Sequence, residues 1–240
     1  SVPYEEIGAF IGKQGYFSMI FDFSYADIDL APGGNWYSQA DWTFSQLKDL
    51  IFHSQFSVQQ QGWGAVYLEN HDQSRSLNKY FREKAALPCE TRKRYLQSTA
   101  LGTLLCGLRG TVFLYQGEVL GLMNCPFASI EEFDDLNTID QYYRALNAGF
   151  GEKEALKFVS DRSRDNSRTP YPWNGRENGG FTKGQPWLKI NPDYRESNAQ
   201  RQQEEELSVF RFYQKLIRLR REQTETQVCG RIEKQDGPNE

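Results

Sequence analysis

The sequence predicts an α/β protein built on a parallel sheet, and three observations carry that prediction. Short apolar runs rich in β-branched and aromatic residues recur at Tyr16–Phe23, Gly64–Leu68 and Thr111–Tyr115. Each leads, the third after a long interval, into a stretch whose apolar residues fall at helical spacing. Polar residues gather just past each run, where parallel strands would end.

The elements follow in order. Tyr4 to Ile11 is a short acidic helix candidate, and Gly12 and Gly15 bracket the turn that leads into the first strand. Tyr16–Phe23 has the aromatic and β-branched content of a strand. Asp27, Asp29 and the turn Pro32-Gly33-Gly34-Asn35 lie at its far end. Thr43 with Gln46 forms a capping box, and Leu47, Leu50, Ile51, Ser54 and Val58 mark the helix behind it. Gly64 to Leu68 carries no charge, which suits a strand covered on both faces. A polar loop through Arg82 precedes a second helix after Pro88, with Tyr95, Leu96, Thr99, Ala100, Thr103 and Leu104 expected on one face. Gly107 and Gly110 close it before the strand Thr111–Tyr115. Almost ninety residues then show no regular pattern. Trp173, Trp187 and repeated prolines within them indicate an ordered loop, not a linker. A last helix is expected over Glu204–Glu222, with a basic final turn.

Composition excludes several functions. The formal charge is -4 and the pI about 5.4, and no basic run alternates with aromatics, so nucleic acid is not an expected partner. No apolar run approaches the roughly 20 residues that span a bilayer, so no membrane partner is expected. Four scattered cysteines without Cys-x-x-Cys spacing and only two histidines, His53 and His71, predict neither a metal site nor a cofactor. The thiols fit a reducing cytoplasm.

The chemistry concentrates at Glu69-Asn70-His71-Asp72-Gln73-Ser74-Arg75. Asp72 has the charge to stabilise a cation or take a proton, His71 to donate to a hydroxyl, and Arg164 to fork onto a hydroxyl or carboxylate. Duller readings stand beside these. Asp72 would serve equally as a helix cap, and Arg164-Asp165 as a local ion pair.

Several collinear blocks resemble the α-amylase family, glycoside hydrolase family 13, in the branch of oligo-1,6-glucosidase, dextran glucosidase, α-glucosidase and sucrose isomerase. They are Glu69 to Arg75, Tyr115-Gln116-Gly117-Glu118-Val119-Leu120-Gly121-Leu122-Met123-Asn124, and Arg162-Ser163-Arg164-Asp165-Asn166-Ser167-Arg168-Thr169-Pro170-Tyr171-Pro172-Trp173. Gly184-Gln185-Pro186-Trp187 and Asn191-Pro192-Asp193-Tyr194 extend the likeness over nearly the whole chain.

The resemblance implies an incomplete TIM (β/α)8 barrel holding about strands six to eight, their helices and a long loop after strand eight. Residues 1–222 would be its C-terminal part, and 223–240 the start of a connection to a further β domain. It implies a retaining glycosidase that releases glucose from the ends of short α-1,6- or α-1,4-linked oligosaccharides, with nucleophile and acid upstream of Ser1 and the chain alone inactive. Asp72 matches the carboxylate that favours the oxocarbenium-like sugar, and His71 a donor to the same sugar. Arg164 matches an arginine closing the pocket, with Asp165 orienting it. Asn70, Gln73 and Arg75 would also meet substrate, although Ser74 stands where Pro is commoner. Glu118 matches a largely structural residue, and Trp36, Trp63 and Trp187 are candidates for stacking on sugars as well as for packing. Two other readings remain: a non-catalytic amylase-like relative of the transporter heavy-chain type, and a transglycosylase or sucrose isomerase of the same branch.

Overall fold

The computed structural model describes residues 3–82 and 91–233. Its centre is a parallel sheet in the order β1-β2-β3, formed by Ile20–Phe21, Gly64–Val66 and Thr111–Val112. Ile20 lies opposite Gly64, and Ala65 opposite Thr111. The sheet is the predicted one, but each strand is shorter than its apolar run. Side chains past the paired core, such as Tyr67 and Leu68, are buried by packing without laddering. Gly110 enters β3 at φ +121°, and a Cβ there would meet the Gly64 carbonyl oxygen at 2.4 Å, so the approach of β3 to β2 requires glycine.

Behind the sheet lie α1 (Phe44–Gln61), α2 (Ser76–Tyr80) and α3 (Thr91–Gly107). The capping box forms at the start of α1: the Gln46 amide N–H donates to Thr43 Oγ1, and the Thr43 N–H to Gln46 Oε1. Leu47, Ile51, Val66, Leu68, Leu77, Leu101 and Leu105 make the main core. Each fully buried leucine or isoleucine contributes about 1.5–3 kcal/mol. The N-terminal helix candidate is a 3-10 segment, Tyr4–Ala9, packed by Ile7 on Val58. Pro88 lies outside the described residues.

The phase expected for α3 is corrected. Ser98, Thr99, Leu101, Gly102, Leu105 and Cys106 are its buried positions, so Thr99 of the expected face is buried, while Leu96 is 55% exposed and Ala100 and Thr103 face solvent. Two packing faces, not one stripe, explain this. Leu101 and Leu105 face the core, and Gly102 lets Tyr213 approach, since a Cβ there would sit 2.9 Å from its ring.

Two further corrections concern the region beyond β3. The stretch read as patternless contains a helical hairpin, α4 (Leu136–Asn147) and α5 (Glu152–Arg162), followed by the short α6 (Asp165–Arg168). Asp135 caps α4 by accepting the Thr138 N–H at 3.2 Å, and Trp36, Phe133, Tyr142, Ala155 and Val159 form the hairpin's own core. The last predicted helix, Glu204–Glu222, is α8 (Val209–Glu222), which begins later than expected, and an unforeseen short helix, α7 (Ala199–Glu204), precedes it. Ser208 separates them, capping α8 through the Arg211 N–H while its hydroxyl donates to the Gln202 carbonyl. In the basic last turn of α8, Arg220 is buried and donates to the carbonyls of Cys106, Leu108 and Gly110, locking α8 to the end of α3.

Candidate active site

The segment leaving β2 sorts its polar residues into two directions. Leu68 and Glu69 are buried, and Asn70 Oδ1 accepts the Asp72 N–H at 2.8 Å, a local turn that swings the Asp72 carboxylate outward. Asp72 is therefore not a helix cap. The cap contact at the start of α2 comes from Glu69, whose Oε1 accepts the Ser76 N–H at 2.8 Å and its hydroxyl at 2.7 Å.

Asp72 gathers three basic side chains. One carboxyl oxygen accepts from Arg168 Nη2 at 3.0 Å and Arg164 Nη1 at 3.3 Å. The other lies 3.2 Å from His71 Nε2. The cluster is open: the His71 and Asp72 side chains are 69% and 46% exposed. Arg168 also donates from Nε to the His71 carbonyl at 2.9 Å, so one guanidinium grips both residues.

Arg164 is held from behind by Asp135. Its Nε donates to Asp135 Oδ1 at 3.0 Å, and its Nη2 to the same oxygen. Burial works to raise the Asp135 carboxyl, but hydrogen bonds from Arg164 and Thr138 outweigh it and hold the group below its ordinary value. The same hydrogen bond raises Arg164.

The partner expected for Arg164 is thus corrected. Asp165 does not meet its guanidinium. Asp165 Oδ2 accepts the backbone N–H groups of Asp134 and Asp135 at 2.8 and 3.0 Å, and burial raises its carboxyl. It fixes the backbone that presents Asp135, one step behind the arginine. Asp135 and Arg168 escaped the sequence reading, although Arg168 stood inside a quoted block and Asp135-x-x-Thr138 is a helix-start pattern.

Gln73 and Arg75, expected to meet substrate, point inward. Gln73 bridges Asp27 and Lys79, donating to Asp27 Oδ1 at 3.0 Å and accepting from Lys79 Nζ at 2.8 Å. Burial pushes Lys79 down to about 8 and raises Asp27. The Arg75 side chain is wholly buried, with Nη1 3.1 Å from Glu69 Oε2 and 2.6 Å from the Gln116 carbonyl, and Nε 3.2 Å from the Asn166 carbonyl. Gly117 makes room for it, with φ +83° and a would-be Cβ 3.1 Å from Arg75 Nη1. Arg75 therefore ties the exits of β2 and β3 to α6. Glu118 closes the same region, accepting from the Tyr115 N–H and the Tyr213 hydroxyl, and burial together with the nearby Glu69 pushes it up to about 8.

Beside the cluster, Asn70 and His71 border a groove of about 270 Å³ floored by Phe21, Phe23, Tyr67, Phe113 and Tyr115. Phe21, Phe23 and Phe113 stay 40–46% exposed on this face of the sheet. Of the three tryptophans, Trp36 is core and Trp63 donates to Thr111 Oγ1 beneath Arg109, while Trp187 is 62% exposed. Among the described residues, no group of His, Cys, Asp and Glu is placed to hold a metal ion, no helix is long and apolar enough to cross a membrane, and Cys106, Cys125 and Cys229 are free thiols.

Residues 10–228 match the catalytic domain of alpha amylase. An oligo-1,6-glucosidase of Parageobacillus thermoglucosidasius is 37% identical over 206 residues, covering 85% of this chain and 35% of the relative. A trehalose-6-phosphate hydrolase of Bacillus subtilis (strain 168) is 34% identical over 204 residues, again 85% of this chain and 35% of the relative. An isomaltulose synthase variant from Erwinia rhapontici NX5, solved with D-glucose, superposes with a TM-score of 0.84 at 34% identity over 92% of this chain and 39% of that one. The chain thus spans a little over a third of the length of these relatives.

Proposed function

The chain belongs to the α-amylase catalytic-domain family, and we propose on that premise that it contributes one wall of the sugar pocket of a retaining glycosidase acting on short α-glucosides. The observation that carries the proposal is the open Asp72 carboxylate at the exit of β2, ringed by His71, Arg164 and Arg168. Asp72 hydrogen-bonds sugar hydroxyls and favours the flattened, positively charged sugar of the transition state. His71 donates to a hydroxyl of the same ring. Arg164 closes the pocket behind it, so that single glucose units leave from chain ends. The nucleophile and the general acid, two carboxyl groups about 5 Å apart in a retaining enzyme, come from residues outside these 240.

The same proposal accounts for the sheet. In it, the described residues up to 222 form strands six to eight of a (β/α)8 barrel. Among the described residues, β1 and β3 each have one partner, and the exposed phenylalanines would line the barrel interior. The enzyme works in the cytoplasm.

The test is hydrolysis of nitrophenyl α-glucoside. Residues 1–240 alone should give no turnover, and the complete enzyme should turn over and lose that activity in Asp72→Asn. Activity of the isolated 240 residues that disappears in Asp72→Asn would refute the division of labour. A second reading has the isomaltulose synthase likeness in its favour: the same residues serving sucrose isomerisation. Product analysis on sucrose separates the two, monosaccharides against an isomeric disaccharide.

A further inference from the structure

We infer that Asp135 is the positioning residue for Arg164, so that the helical hairpin inserted after β3 sets the aim of the pocket's arginine. The inference rests on Arg164 being a substrate-gripping residue, as proposed above.

Arginine offers five N–H groups in a rigid plane. Arg164 spends Nε and one Nη2 hydrogen on Asp135, and one Nη1 hydrogen on Asp72. The edge toward Asp135 is closed, because the Asp135 side chain is only 1% exposed. One Nη1 and one Nη2 hydrogen remain, and the Nη1 edge, turned to Asp72, presents its hydrogen to the open cluster where a sugar hydroxyl would lie. The orientation is thus imposed from the buried side.

Asp135 is itself fixed from two directions. Its second carboxyl oxygen accepts from the Thr138 N–H at 3.2 Å and the Thr138 hydroxyl at 2.8 Å, the N-cap of α4. Its backbone N–H is held by Asp165, on the turn that carries Arg164. The Thr138 hydroxyl, its hydrogen given to Asp135, accepts from the Ser163 hydroxyl at 2.8 Å, and that same Ser163 Oγ accepts the Asp165 N–H at 3.1 Å. The start of α4 and the turn at Ser163–Asp165 therefore form one buried unit. A shift of the hairpin would carry Asp135 with it and turn the guanidinium away from Asp72.

The test is a double-mutant cycle in the complete enzyme. Asp135→Asn keeps a good N-cap acceptor but removes the charge that holds Arg164. It should lower kcat/KM on nitrophenyl α-glucoside on the order of 10- to 100-fold, as expected when a binding group is misaimed. In an Arg164→Met background the same substitution should have no further effect, within about twofold. Thr138→Val removes one hold on Asp135 but leaves the charge pair, and should lower kcat/KM by less than Asp135→Asn does, with no further effect in the Arg164→Met background. Multiplicative losses in the double variant would overturn the inference, as would a Thr138→Val loss equal to that of Asp135→Asn. Wild-type activity in Arg164→Met alone would instead refute the reading of the pocket beneath it.

Discussion

Arg75 with Glu69 and Arg164 with Asp72 are two arginine–carboxylate pairs whose carboxylates leave the same strand exit, and they do opposite things. The first is sealed, with side chains 0% and 2% exposed and neighbouring carbonyls taking the remaining donors. The second is open, at 32% and 46%, and its carboxylate also meets Arg168 and His71. Burial turns a charge pair into a joint of the fold, because an unpartnered charge there is intolerable. Exposure leaves a pair whose geometry is kept but whose partners are free to be exchanged, under the proposed function for sugar hydroxyls. A list of arginines and carboxylates would not separate the two.

The contrast can be broken experimentally. Arg75→Met strands the buried Glu69 carboxylate and should cost about 3–5 kcal/mol, read as a lowered urea midpoint. A loss below about 1 kcal/mol would mean that the pair is not the joint described. Asp72→Asn should do the reverse. In the complete enzyme it should lower kcat about 10²- to 10³-fold, while stability moves by less than about 1 kcal/mol because the site is half open.

Glu118 sharpens the buried side through pH. Its folded value lies near 8, above the ordinary carboxyl range. The folded state therefore binds more protons than the unfolded state between about 4.5 and about 8, and the group costs increasing stability as pH rises through that window. Glu118→Gln should flatten this fall, with its benefit growing toward pH 8 in urea titrations across the window. An unchanged slope would remove Glu118 from the buried network. At the small end, the i,i+4 pair Arg218–Glu222 on α8 has side chains 81% and 54% exposed. Arg218→Ala should change Tm by little more than measurement scatter, since such i,i+4 pairs contribute about 0.3–0.5 kcal/mol before salt screening.

The sequence by itself determined the parallel sheet, the capped helix α1, and the cluster of His71, Asp72 and Arg164. Local pattern reaches these: β-branched runs, the Thr43–Gln46 box, and blocks whose order matches one family. Even the missed hairpin carried its Asp135 cap and its apolar stripe in plain view. Only the tertiary structure decided which way the polar residues face. Gln73 and Arg75 share a loop with Asp72 yet turn inward, because Lys79, Asp27 and three backbone carbonyls wait there. Asp165 sits beside Arg164 in sequence but serves the amides of Asp134 and Asp135. The arginine is held by a residue 29 positions away. Spacing along a chain fixes which face of a helix or strand a residue occupies. Hydrogen-bond partners in a buried turn are chosen by whatever the rest of the fold brings within about 3 Å, and that distance is set in space.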